Sequence, residues 1–143
     1  MSETTANHAS KDSPKFDWVT ARSSCSLANV FKTLRLQVEE DVKTRNGLRP
    51  ANSPYEFSVA ESDGGFAVVL KAKDLKAKDV QRSVVFTLAE HAILVRDGIG
   101  SPMFDVTLTF DDAGACKLNV NGESRDFWQV RRMALEELLF PTL

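Results

Sequence analysis

Apolar side chains recur along this chain with two different periods, and the period changes at Tyr55. Leu27, Val30, Phe31, Leu34, Val38 and Val42 fall within an arc of roughly 120° at helical spacing, a single core-facing stripe. That stripe predicts a helix over 27–45. Ser24 or Ser26 can cap its start, and Asn46-Gly47 is a stop signal. Leu36 lies opposite the stripe. From Tyr55 the period is two: Tyr55, Phe57 and Val59 alternate with Glu56 and Ser58. Phe66, Val68 and Leu70 follow the Asp63-Gly64-Gly65 turn, then Val84, Phe86 and Leu88, then Ile93 and Val95 after a turn at Ala89-Glu90. Phe104, Val106, Leu108 and Phe110 form the clearest alternation, and Cys116, Leu118 and Val120 return from Asp111-Asp-Ala-Gly114.

A second helical stripe closes the chain. Asp126 can cap it, Gln129 completes a capping-box spacing, and Pro141 stops it. Phe127, Trp128, Val130, Ala134, Leu135, Leu138 and Leu139 form one broad face, and Arg131 projects into it. A guanidinium there needs an acidic partner, a path to water or a ligand. Asp105, Glu56 and Asp111 on the strands are the candidate partners.

The order is helix, strands joined by tight turns, helix. Tight turns imply antiparallel neighbours. The expected fold is α+β: a two-layer sandwich in which an antiparallel meander of five to six strands packs against an N-terminal and a C-terminal helix. Residues 1–14 read as a disordered tail and 15–143 as one domain. Phe16 and Trp18 alternate with Asp17 and suggest a short extended segment. Lys71, Lys73, Lys76 and Lys78 are interrupted by Asp74 and Asp79, which reads as a solvated connector anchored by Leu75 and Val80. The element order loosely resembles helix-grip (START-like) domains. That resemblance implies an apolar ligand held between a curved sheet and the last helix.

Composition narrows the function classes. The 143 residues are 43% hydrophobic and 27% charged, with a formal net charge of −2, the ordinary globular range. Nucleic-acid binding usually brings a basic excess, so no nucleic-acid partner is expected. The longest apolar runs are strand-sized, so no membrane partner is expected. Met1–Lys15 has no apolar core of a secretory signal. Cys25 and Cys116 are accordingly read as reduced thiols in a cytoplasmic protein.

Candidate chemistry is sparse. His8 lies in the tail, and His91 reads as a turn or core-edge residue. The cysteines are too far apart for a zinc motif. Asp97-Gly98-Ile99-Gly100 precedes a strand rather than the helix that a phosphate-binding loop needs. Asp111-Asp112 fits a hairpin turn. No catalytic residue, metal ligand or cofactor is therefore assigned, and the chain is not expected to be an enzyme. The leading expectation is a non-catalytic protein-interaction module (adaptor, chaperone-like factor or regulatory subunit), alone or as a homodimer. Leu36, Phe140 and Leu143 are its candidate surface. The alternative is a cup for a small apolar or anionic ligand, with Arg131 as polar anchor beside Trp128 and Phe127.

Overall fold

The computed structural model describes residues 15–72 and 82–141. The expected tail 1–14, the connector segment 73–81 with Lys73, Lys76 and Lys78, and Leu143 lie outside them. Three helices, α1 (Trp18–Ser24), α2 (Leu27–Leu48) and α3 (Phe127–Leu139), accompany seven strands. The strands are β1 (Tyr55–Ser62), β2 (Gly65–Ala72), β3 (Arg82–Leu88), β4 (Ile93–Asp97), β5 (Pro102–Phe110), β6 (Cys116–Val120) and β7 (Glu123–Arg125). They form one antiparallel meander in chain order. α2 packs on β1 and β3, and α3 packs on β3 and on α2. The architecture is the expected α+β arrangement with one strand more. β7 lacks apolar alternation, so its three residues carry no strand pattern. It forms because Asn121 (φ 54°) and Gly122 (φ 82°) adopt the left-handed pair of a tight hairpin and return the chain onto β6.

Both long helices begin where their caps predict. Ser26 Oγ accepts the Asn29 backbone N–H at 3.2 Å. Gln129 Oε1 accepts the Asp126 N–H at 2.8 Å. The segment around Trp18 is helical, not extended. Asp17 caps it, accepting the Thr20 N–H at 3.0 Å, and this local bond outweighs a two-residue alternation. α1 buries none of its residues.

The core lies between helices and sheet. Val30, Leu34, Val38 and Val42 of α2, and Val130, Ala134, Leu135, Leu138 and Leu139 of α3, are buried. They meet the alternate residues of the strands, including Phe66, Phe86, Ile93 and Val106. The Phe66 and Phe86 rings stack with centroids 4.7 Å apart, and Phe31 leans on Phe66 at 5.4 Å. Gly65 makes this approach possible. A Cβ there would sit 1.9 Å from the Phe86 carbonyl oxygen.

The outer edge of the sheet is covered by α2. The Asn46 side chain takes both backbone groups of Phe57 in edge strand β1: its Oδ1 accepts the N–H at 3.0 Å, and its Nδ2 donates to the carbonyl at 2.7 Å. Arg35 bonds to Glu61 farther along β1 and to Glu39 on its own helix. The Arg35 guanidinium holds the Glu61 carboxyl below the usual carboxylate range. An amide that imitates a neighbouring strand blunts an edge against pairing with another chain.

The cysteines are not free thiols. Cys25, just before the α2 cap, is disulfide-bonded to Cys116 at the start of β6, across 91 residues of sequence with Cα atoms 5.4 Å apart. The reading of two reduced thiols is corrected: sequence distance gives no information on a pair that the meander brings together. Among the described residues no helix is long and apolar enough to cross a membrane.

Two outcomes follow from this framework. Cys25→Ser is expected to lower unfolding free energy by about 2–4 kcal/mol, as loss of a long-loop cross-link does. Chemical denaturation should show that reductant destabilises the wild type and leaves the variant unchanged. Asn46→Leu is expected to cost about 1–3 kcal/mol by leaving the Phe57 backbone groups without partners. The same denaturation curves measure it, and an unchanged midpoint would show that the clamp is dispensable.

Candidate functional site

The seam between α2 and α3 is organised by one ridge of α2. Gln37, Asp41 and Arg45 follow one another at four-residue spacing, so they share a face of the helix. Each reaches α3. Arg131 Nε donates to Asp41 Oδ2 at 2.6 Å, and its Nη1 donates to Gln37 Oε1 at 2.8 Å. Arg45 Nε donates to the Leu139 carbonyl at 2.7 Å. The Arg45 guanidinium also lies 4.2 Å from the centroid of the Phe140 ring, a cation–π contact.

Arg131 therefore has an internal partner, but not one of the strand carboxylates. Glu56 and Asp105 are exposed. The Asp111 carboxylate is engaged by the backbone N–H groups of Ala113 and Ala115 in its hairpin turn. The Arg131 side chain is 19% exposed and that of Asp41 34%, so the pair sits at the rim of the core with a path to water. The face around Arg131 is turned partly toward the neighbouring helix, which a single-helix projection cannot show.

An open groove of about 430 Å³ runs along this seam. Its apolar wall comes from Leu48, Trp128, Leu135, Leu139 and Phe140, and its charged rim from Asp41, Arg45, Arg131, Arg132 and Glu136. Among the described residues no strand side chain lines it. Trp128 is 53% exposed, Phe140 58% and Leu48 73%. Trp128 also walls an adjoining hollow with Met133, Gln129 and Arg125, so the apolar surface continues around α3. A second hollow lies on the other flank of α3, beside Ile99 and Met103. It is the more polar of the two, and its Asp97 carboxylate is engaged by the Ile99 and Ser101 backbone N–H groups.

Arg131, Trp128 and Phe140, expected to serve two different purposes, thus line one groove. Phe127 is not part of it; that ring packs against the core. Leu36 is exposed on α2 and does not line the groove. Trp128 belongs on the surface rather than in the buried stripe. It stands at the stripe's edge in the first turn of α3, 53% exposed. The sequence marked neither Leu48 nor Arg45 as a groove residue. The helix runs through the expected Asn46-Gly47 stop and ends at Leu48, and Arg45, spaced four residues after Asp41 as a helix partner, bonds to the Leu139 carbonyl instead. Arg132 pairs with Glu136 at 3.0 Å, as their spacing predicts.

The groove offers binding surface rather than reactive groups. Among the described residues that line it there is no histidine, cysteine or serine. His91 is exposed in the β3–β4 turn, 3.8 Å from the exposed Glu90. Among the described residues no three His, Cys, Asp or Glu side chains cluster as metal ligands would.

The seam pair has a measurable coupling. In a double-mutant cycle of Arg131→Met and Asp41→Asn, the interaction term is expected near 1 kcal/mol. That is the upper end for exposed pairs and well below the cost of breaking a buried one. A term near zero from denaturation midpoints would show that the two residues act independently.

Comparison of the chain with protein-family models, curated proteins and solved structures finds no match, so its function is argued from the groove.

Proposed function

We propose that this chain is a non-catalytic protein-interaction module, an adaptor, chaperone-like factor or regulatory subunit, that docks its partner in the α2–α3 groove. One observation carries the reading: Trp128, Phe140 and Leu48 stand exposed around a single groove rimmed by arginines. Exposed apolar patches with polar rims mark interaction sites. Tryptophan and arginine dominate the energetics of protein interfaces. Trp128 and Phe140 do not belong to the buried face of α3, which is made of Val130, Ala134, Leu135, Leu138 and Leu139.

The same groove could take a small apolar or anionic ligand against Arg131 and Trp128. Two features favour a macromolecule. Arg131 is already bonded to Asp41 and Gln37, and the groove is open along its length, whereas small-ligand sites enclose most of their ligand. The Cys25–Cys116 disulfide supports an oxidising compartment over a cytoplasmic one.

The test is co-purification of partners from the native host with tagged protein carrying Trp128→Ala and Phe140→Ala together, against wild type and Leu36→Ser. A partner recovered with wild type and with Leu36→Ser is expected to be lost with the double variant, whose stability should stay within about 1 kcal/mol of wild type because both side chains are exposed. Retention by the double variant would refute docking in the groove.

A further inference from the structure

We infer that the segment received by the α2–α3 groove is an amphipathic helix bearing acidic side chains; this rests on the docking reading above. The charge inventory of the groove points there. Arg45, Arg131 and Arg132 face two carboxylates, and both carboxylates are engaged, Asp41 with Arg131 Nε and Glu136 with Arg132 Nε. Among the described residues Arg45 has no carboxylate partner, and its hydrogen bond there runs from Nε to the Leu139 carbonyl. The Nη atoms of Arg45 and Arg132, and Nη2 of Arg131, have no acceptor among the described residues. A locally cationic groove in a chain of net charge −2 selects a partner of opposite sign. Arg45 is also pre-oriented by its bond to the Leu139 carbonyl and its cation–π contact with Phe140 at 4.2 Å, so little freedom is lost when a carboxylate binds it.

The shape argues for a helix. The groove lies between two helices, with apolar anchors at both ends of the seam, the setting in which an amphipathic helix lays down its apolar face. Strand addition is the other common mode, and at β1 the Asn46 clamp on Phe57 obstructs it. Residues 1–14 contain one large apolar side chain, Met1, too few for the apolar face of such a helix.

The experiment uses the full chain with Trp18→Phe, so that Trp128 is the sole tryptophan. Two helical peptides of about 16 residues share one Leu/Ala face and differ only in carrying Glu or Lys on the flanks. Their titration is followed by Trp128 emission and checked by calorimetry. The Glu peptide is expected to blue-shift the emission saturably and to bind at least about tenfold more tightly than the Lys peptide, with affinity falling as salt rises. Arg45→Gln should erase that preference, and Arg45→Glu should reverse it. Equal binding of both peptides would overturn the acidic partner and leave groove docking standing. Binding of neither would overturn the inference, while the co-purification result still judges docking by itself. Sedimentation showing a dimer that Trp128→Ala dissociates would also overturn it, since a second copy would then fill the groove.

Discussion

The row of Gln37, Asp41 and Arg45 along α2 is the constraint around which the functional half of this molecule is arranged. An antiparallel sheet with one apolar face needs cover on that face only, and two helices side by side provide it. Side-by-side helices stand about 8–10 Å apart, which leaves a furrow on the side away from the sheet. Here the furrow is bridged by polar bonds at successive turns: Gln37 and Asp41 to Arg131, and Arg45 to the Leu139 carbonyl. Charges at the rim of a core fix orientation more than they add stability, because desolvation offsets much of their attraction. The bridges set how the helices lie along one another, and so they set the distance between Leu48 at the end of α2 and Trp128 at the start of α3.

The remaining polar devices hold this frame in place. Cys25–Cys116 ties the start of α2 to β6, and Asn46 ties its end to β1. α2 is thereby fixed at both ends to different parts of the sheet. Two hairpins use one turn chemistry: Asp97 and Asp111 each accept two backbone N–H groups from the residues that follow. These turns keep the meander tight enough for alternate residues to meet the helices in register. Beside the Phe66–Phe86 stack, Gly65 leaves no room for a Cβ against the Phe86 carbonyl oxygen, so a larger residue there would disturb the β2–β3 register.

What the sequence revealed and what it hid follow the range over which each interaction acts. Caps, turns and stripes are written in neighbouring residues. Ser26, Asp126, the 3.6-residue spacing from Val30 to Val42 and the alternation from Phe104 to Phe110 were all legible, and the fold class with them. β7 was not, because three polar residues carry no period. The partner of Arg131 was not, because Asp41 lies 90 residues away and the strand acids looked equally near. The disulfide was hidden for the same reason. The site was half legible. Arg131, Trp128 and Phe140 stood out by type, but their assembly with Arg45 and Leu48 depends on how two helices lie together, and no single-helix projection contains that.

The apolar surface of the groove also bears on why the fold is built with two long helices. Burying an aromatic side chain is worth several times the net contribution of a typical hydrogen bond, and this chain buries Phe57, Phe66, Phe86 and Phe104. It leaves Trp128 and Phe140 at the surface beside bridged arginines. The outward face of the sheet offers a contrast. Ser58, Ala60, Ala67, Val85 and Thr87 lie there beside Val69 and Leu94, with no aromatic side chain among them. Projecting aromatics, a pre-oriented Arg45 and a fixed interhelical spacing coincide in the groove. A partner docking there gains apolar area without reorganising the scaffold, which is the condition under which an exposed aromatic contributes most to affinity.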